Sequence, residues 1–242
     1  MSDPAVPEDQ VLRVIARMHN DFPTKFGLPR QSGLVAGIRG RIVFEPQFRQ
    51  PEALRGLEGF SHIWLIWGFS QARRESWSAT VRPPRLGGNE RVGVFATRSP
   101  FRANALGLSC VKLEGIEQEG SLGLVLHVSG ADLMDGTPIY DIKPYLPYAD
   151  SIPAARDGFV GERERAQLKV EISQALLEMI LPDKREGLIG ALENDPRPAY
   201  LDEPLRAYGF YYAGFDVRFS VVEGTLTVVE IARVPTDTTL TH

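Results

Sequence analysis

This chain carries a single cysteine, Cys110, in 242 residues, so no disulfide can form within it. That usage points to a reducing compartment, the cytoplasm. No apolar run approaches the ~20 residues of a membrane span. The first ten residues, MSDPAVPEDQ, are polar and acidic, unlike a secretory signal. The four histidines, His19, His62, His127 and His242, are scattered, so no metal site is expected. His62 and Cys110 adjoin or sit in apolar strands and read as structural. GLEG and GGNERVG lack the Lys-Ser/Thr ending and the βαβ setting of phosphate-binding loops, which argues against a classical Rossmann domain. GLSC lacks the glycines of a serine nucleophile elbow. Internal repeats and low-complexity tracts are also missing.

What stands out instead is the run from Arg82 to Ser109, RPPRLGGNERVGVFATRSPFRANALGLS. Arg82, Arg85, Arg91, Arg98 and Arg102 face one acid, Glu90, in a chain whose net charge is −4. A solvated loop does not need VGVFA, and a core strand does not need arginines. The mixture predicts a buried strand over 92–96 that delivers an arginine-rich loop to a working surface for anions.

Short strand-like segments are expected over 11–16, 34–44, 63–69, 92–97, 108–116, 122–128 and 138–142, with a short helix near 52–57. The stretch His19–Gly33 reads as a long functional loop. Many short strands separated by Gly and Pro indicate a mainly β protein: a β-barrel domain over residues 1–152. After Ser151 the pattern changes. Residues 166–181 carry apolar side chains at helical spacing, 184–194 a second helix, and 205–217 and 226–234 strands. These predict a small α+β domain over 153–242, with DPRPAY as a fixed turn.

In order, the blocks KFGLPRQSGL, RGLEGFSHIWLIWGF, the arginine-rich run, DLMDGTPIYDIKPYLPYADS and DPRPAY resemble the TrmO family, also called TsaA-like or YaeB. The resemblance implies a non-Rossmann β-barrel enzyme. It also implies S-adenosyl-L-methionine as cofactor, tRNA as partner, and a homodimer with neither membrane nor metal. The implied reaction is methylation of N6 in threonylcarbamoyladenosine at position 37, beside the anticodon. Pro29, Arg30 and Gln31 are then expected at the cofactor, with Ser70 and Gln71 where the family often has His-Gln. Arg98 and Leu108 complete its strand-loop part, and Asp135, Gly136, Thr137 and Pro138 its last loop. Arg98, Asp135 and Tyr145 are candidates for catalysis by residue type, and Arg102, Asn104 and Lys143 for holding the substrate. The competing readings are a regulator that binds S-adenosylmethionine or RNA without catalysis, and a small-molecule methyltransferase. A chain ending near Ser151 is expected to keep cofactor binding and to lose most tRNA methylation.

Overall fold

The computed structural model describes residues 10–71, 77–83, 86, 88, 90–161, 167–197 and 206–235. Arg85, Gly87, Ala166, Leu205 and the last three residues of DPRPAY lie outside the described residues. Along the chain come β1 (Ala16–Asn20), β2 (Arg39–Phe44), β3 (His62–Gly68), the short β4 (Thr80–Val81) and β5 (Val92–Gly93), β6 (Leu106–Gln118), β7 (Leu124–Ser129) and β8 (Pro138–Pro144). Six of them close a barrel in the order β1-β2-β7-β6-β3-β8, with all neighbours antiparallel. Period-two alternation builds its interior. Ile63, Leu65 and Trp67 of β3 and Ile42 and Phe44 of β2 point inward, whereas Arg39 and Arg41 point out.

The helix α1 (Pro147–Asp150) ends the barrel unit. The second unit contains β9 (Lys169–Glu171), α2 (Gln174–Glu178), α3 (Pro182–Glu193), β10 (Tyr208–Tyr212), β11 (Phe215–Val222) and β12 (Thr225–Arg233). Its sheet runs β10-β11-β12-β9, and β9 joins β12 in parallel. The molecule is thus mainly β, a closed barrel with a smaller C-terminal α+β unit.

Several expected elements differ. The strand expected over 11–16 begins only at Ala16; Val11 and Leu12 are exposed, at 88% and 45%, and only Ile15 before it packs on the barrel core. The short helix expected near 52–57 is two 3-10 turns, Pro51–Leu54 and Leu57–Gly59. The buried strand expected over 92–96 is two residues long. Its partner β4 is equally short, and the Thr97 hydroxyl donates to the Val94 carbonyl at 2.8 Å, folding residues 94–96 into a 3-10 turn. Of that turn only Val94 is buried, while Phe95 is 76% exposed. The helix expected over 166–181 is instead β9 followed by α2. Leu168, Val170 and Ile172 alternate with period two and pack on the second core, and Ser173 then caps α2 by accepting the Leu176 N–H at 3.3 Å. The strand expected over 205–217 is a hairpin that turns between Tyr212 and Phe215.

The second core also draws on the barrel half of the chain. Phe22, Val35 and Ile38, from the loop over 21–38, are buried with Leu188 of α3 and Phe210 and Tyr212 of β10. The Phe22 ring lies 4.9 Å from that of Tyr212 and 6.4 Å from that of Phe210. Burial of each such side chain contributes about 1.5–3 kcal/mol, so the loop is anchored from behind by the C-terminal unit. The Lys184 ammonium adds a 2.7 Å pair to Asp21, and the Tyr212 hydroxyl donates to the Lys184 carbonyl at 2.8 Å.

Candidate active site

Antiparallel order decides where the loops emerge. Strands β1, β3 and β7 end, and β2, β6 and β8 begin, at one rim of the barrel. The register Asn20↔Gly40, Arg39↔Ser129, Gly68↔Leu106 and Trp67↔Ile139 fixes this. The loop with Pro29, Arg30 and Gln31 leaves that rim after β1. Ser70 and Gln71 follow β3, Arg98, Arg102 and Asn104 precede β6, and Asp135, Gly136 and Thr137 precede β8. Eleven of the expected cofactor residues and two of the three expected substrate residues therefore share one end.

The rim loops are tied to one another by named bonds. Gly33 N–H donates to the Gly130 carbonyl at 2.8 Å, and Gly130 N–H to the Ile38 carbonyl at 2.9 Å, so the 21–38 loop is laced to the segment after β7. Phe69 N–H donates to the Ala105 carbonyl at 3.0 Å, joining the end of β3 to the arginine loop. Arg98 Nη1 donates to Gln31 Oε1. Arg102 is spent locally, donating to the Thr97 carbonyl at 3.2 Å. Arg30 reaches the second unit, where its Nη2 donates to the Arg197 carbonyl at 3.4 Å. Arg197 itself is held by Asp195 at 2.8 and 2.9 Å, the fixed turn of DPRPAY.

The loop before β8 is stapled to β1. Asp135 N–H donates to the Phe22 carbonyl at 2.9 Å and Gly136 N–H to the Met18 carbonyl at 2.8 Å. The Asp135 carboxylate accepts Asn20 N–H at 3.1 Å and faces His19 Nδ1 at 3.4 Å. Gly136 has φ +74°, a left-handed conformation that a side chain at this tight turn would strain. Thr137 and Pro138 are buried, whereas Asp135 remains exposed. Leu108 is 55% exposed at the same end, an apolar surface beside charged groups.

Tyr145 and Lys143 are not brought to this rim. Lys143 pairs with Trp64, and Tyr145 N–H donates to the His62 carbonyl at 3.0 Å. Tyr145 lies six residues beyond Ile139 along β8, about 20 Å at strand rise. Its ring packs on Trp64 at 5.9 Å, and the Lys143 ammonium pairs with Asp141 at 3.0 Å. Within one chain neither serves the loops above. Residue type selected them, and strand direction places them at the other end of β8.

Asp132 belongs to the DLMDGTP loop but is not among the expected site residues, and its partners Ser109 and Trp67 escaped the sequence reading. Asp132, four residues before the Gly136 turn, is largely buried. Its carboxylate accepts the Ser109 hydroxyl at 2.5 Å, and Ser109 in turn accepts Trp67 Nε1–H at 2.9 Å. Burial pushes the Asp132 carboxyl above its ordinary range, against the pull of Ser109, its own N–H, Ser32 N–H and the Arg98 charge. The alternation of β6, which sends Ser109 inward among apolar residues, was the available signal. Burial likewise pushes the Cys110 thiol up, reinforced by Asp150, which suits a packed thiol rather than a nucleophile.

Residues 17–151 match the N-terminal domain of tRNA-methyltransferase O, and residues 165–234 match the TrmO C-terminal domain. The chain belongs to the tRNA-methyltransferase O family. It is 39% identical over 222 residues to the Escherichia coli K12 tRNA (adenine(37)-N6)-methyltransferase, a match covering 88% of this chain and 94% of that protein. It is 43% identical over 217 residues to RcsF of Pseudomonas aeruginosa, provisionally named an S-adenosylmethionine-dependent methyltransferase, covering 85% and 90%. The crystal structure of TrmO from P. aeruginosa superposes with a TM-score of 0.75 at 34% identity, covering 96% of this chain and all of that one. Both domains of the family are therefore present, and the rim described above belongs to its N-terminal domain. Among the described residues no group of three His, Cys, Asp or Glu could hold a metal. Nor is any described helix long and apolar enough to cross a membrane.

Proposed function

We propose that this chain methylates N6 of adenine 37 in tRNA, with S-adenosyl-L-methionine as donor and the threonylcarbamoyl-modified adenine as substrate. The observation that carries the reading is the meeting, at one barrel rim, of Pro29–Gln31, Arg98, Leu108 and the Asp135–Pro138 turn. That donor set suits a nucleoside bearing an amino acid. Arg98 offers a cation for a carboxylate, Asp135 a carboxylate for an ammonium or ribose diol, and Leu108 an apolar face for a base. When bound, the cofactor supplies a methyl group on an electrophilic sulfonium.

The protein's own part is alignment. Methyl transfer needs the nucleophile, the carbon and the leaving sulfur in line, and fixed loops supply that order before the reaction. The bonds from the 21–38 loop to Gly130, and its apolar anchors in the C-terminal unit, supply the rigidity. N6 exchanges a proton for the methyl, and Asp135 is the exposed carboxylate at this rim able to take it. Arg98 is the cation for the carboxylate of the threonyl group, and Arg102, bonded to the Thr97 carbonyl, holds the loop that presents it. Ser70 and Gln71 border the cofactor from the end of β3.

The tRNA approaches across the β4–β5 hairpin. Trp77, 52% exposed, and Phe95 stack with ring centres 6.2 Å apart. They lie in a stretch rich in arginine, the composition that binds single-stranded bases and phosphates. The barrel domain spans 1–152 and the C-terminal domain 153–242, and the enzyme works as a homodimer in the cytoplasm. Pure protein incubated with labelled S-adenosylmethionine and bulk tRNA from a strain lacking this gene should transfer label to tRNA. Calorimetry should show binding to S-adenosylhomocysteine and none to NAD. Label appearing only in small molecules would refute the proposal.

A further inference from the structure

Asn20, the last residue of β1, has no part in the reading above, yet its bonds join β1 to two rim loops. Its Nδ2 donates to the Leu133 carbonyl at 2.6 Å, in the segment that leads into the Asp135 turn. Its Oδ1 accepts Phe22 N–H at 2.9 Å, an Asx turn that opens the loop carrying Pro29-Arg30-Gln31. Its own N–H donates to Asp135 Oδ1 at 3.1 Å. The Phe22 carbonyl then accepts Asp135 N–H at 2.9 Å, which closes a ring of bonds through Asn20, Phe22 and Asp135. Leu133 and Phe22 are buried, so a carbonyl or N–H released there finds little water to replace the lost bond. Both side-chain bonds need a donor and an acceptor on one short side chain. Aspartate lacks the donor, and leucine lacks both.

We infer that Asn20 is a positioning residue that locks the Asp135 turn to the start of the 21–38 loop, so that the Asp135 carboxylate meets N6 of the substrate at a fixed place. The inference deepens the proposed function and rests on it. Asn20 does not touch the reacting atoms; it acts through Asp135. The contacts from β1 fall on one oxygen, since Asn20 N–H and His19 Nδ1, at 3.4 Å, both face Asp135 Oδ1. Among the described residues no hydrogen bond or ion pair reaches Oδ2, the oxygen left to take the proton. Arg17 Nη1 steadies the same turn by donating to the Gly136 carbonyl at 3.2 Å. The ring also has a firm backing. The Asp21 carbonyl accepts Ala213 N–H at 3.0 Å, and its carboxylate pairs with Lys184 at 2.7 Å.

The test compares wild type with Asn20→Ala and Asn20→Ser. Methyl transfer to tRNA from a strain lacking this gene gives kcat and KM, and amide hydrogen exchange is followed without ligand. In Asn20→Ala kcat should fall about tenfold or more while KM for tRNA stays within about twofold, because a displaced acceptor slows the reaction without loosening the RNA. Exchange at Phe22 and Asp135 should quicken, and exchange at Leu65 and Val111 in the barrel wall should not. Serine can still accept Phe22 N–H but is too short to reach the Leu133 carbonyl. Asn20→Ser should therefore keep Phe22 protected, quicken Asp135 and lower kcat by about threefold, and it carries the test alone if the alanine variant does not fold. Wild-type kcat in either variant, a loss confined to KM, or exchange quickened throughout the barrel overturns the inference. If wild type methylates no tRNA while exchange at Asp135 still quickens locally, the proposed function fails and the hold of Asn20 on the turn stands.

Discussion

Gly37 and Gly187 meet backbone to backbone. A Cβ on Gly37 would stand 2.8 Å from the Gly187 nitrogen, and a Cβ on Gly187 would stand 2.9 Å from the Gly37 carbonyl oxygen and 2.5 Å from the Tyr212 hydroxyl. The contact seats the loop that carries Pro29-Arg30-Gln31 on α3 of the C-terminal unit. Glycine within a helix ordinarily costs about 1 kcal/mol relative to alanine. Gly187→Ala should nevertheless destabilise the protein, by about 1–3 kcal/mol, because backbone has no room to yield. Chemical denaturation gives the number, and a stabilised variant would show the contact to be loose.

Removing the C-terminal unit reaches the same loop. A chain ending at Ser151 strips cover from Phe22, Val35 and Ile38, which are buried against α3, β10 and β11. The sequence alone suggested that such a chain keeps cofactor binding. The shared core reverses that expectation: affinity for S-adenosylhomocysteine should be lost or cut at least tenfold. Calorimetry on the shortened chain decides, with circular dichroism reporting whether the barrel persists. Wild-type affinity would make the second unit dispensable to the cofactor site.

The pH dependence of stability should carry the mark of Asp132. Its carboxyl is raised by burial, so the native protein holds a proton that the unfolded chain has already released. The window opens at the ordinary carboxylate value, about 3.9, and closes at the raised native value. Across it stability falls as pH rises, and the loss is complete above the window. Asp132→Asn removes that slope. The melting temperature of the variant relative to wild type should therefore climb with pH through the window, and a constant difference would contradict the assignment.

Arg98 and Arg102 should part company. Arg98→Ala removes the charge at Gln31 and Asp132 and should cost about 2 kcal/mol of transition-state stabilisation, roughly 30-fold in kcat/KM. Arg102 donates to the Thr97 carbonyl, so Arg102→Ala loosens the turn before β6. It should raise KM for tRNA more than it weakens S-adenosylhomocysteine. Equal losses in cofactor affinity would place both arginines at the donor.

Trp77 and Phe95 offer a separate handle on the RNA. Base stacking on an aromatic ring is worth about 1–3 kcal/mol. The double variant Trp77→Ala/Phe95→Ala should weaken tRNA binding about tenfold or more and leave S-adenosylhomocysteine affinity alone. Sedimentation of the same variant guards against another role. A change of oligomeric state with tRNA affinity intact would assign the pair to a subunit interface.

Much of the barrel was legible because alternation along β2 and β3 and the Gly/Pro punctuation survive in one sequence. The site was legible wherever a segment is a rim loop. Misreadings have physical causes. Residues 168–172 satisfy both a helical and a strand spacing, and only the parallel partner β12 chooses between them. Phe95 looked like core because VGVFA is apolar, yet its strand ends after two residues for want of a longer partner. Tyr145 stands at the end of β8 away from the rim loops, a matter of register that composition does not encode. Asp132 sits in a loop that also reads as an ordinary turn, and only folding brings Ser109 to it. The burial of Phe22, Val35 and Ile38 in the C-terminal core is likewise a contact between residues far apart in sequence.

The central claim is tested most directly by locating the methyl group. Wild-type protein, S-adenosylmethionine and tRNA from a strain lacking the gene are incubated, the tRNA is digested, and the fragments are read by mass spectrometry. The account predicts one added methyl on N6 of the threonylcarbamoyl-modified adenine at position 37, and strongly reduced transfer by Arg98→Ala. A methyl at another nucleotide, or tRNA recovered unmodified from protein that binds S-adenosylhomocysteine, would contradict it.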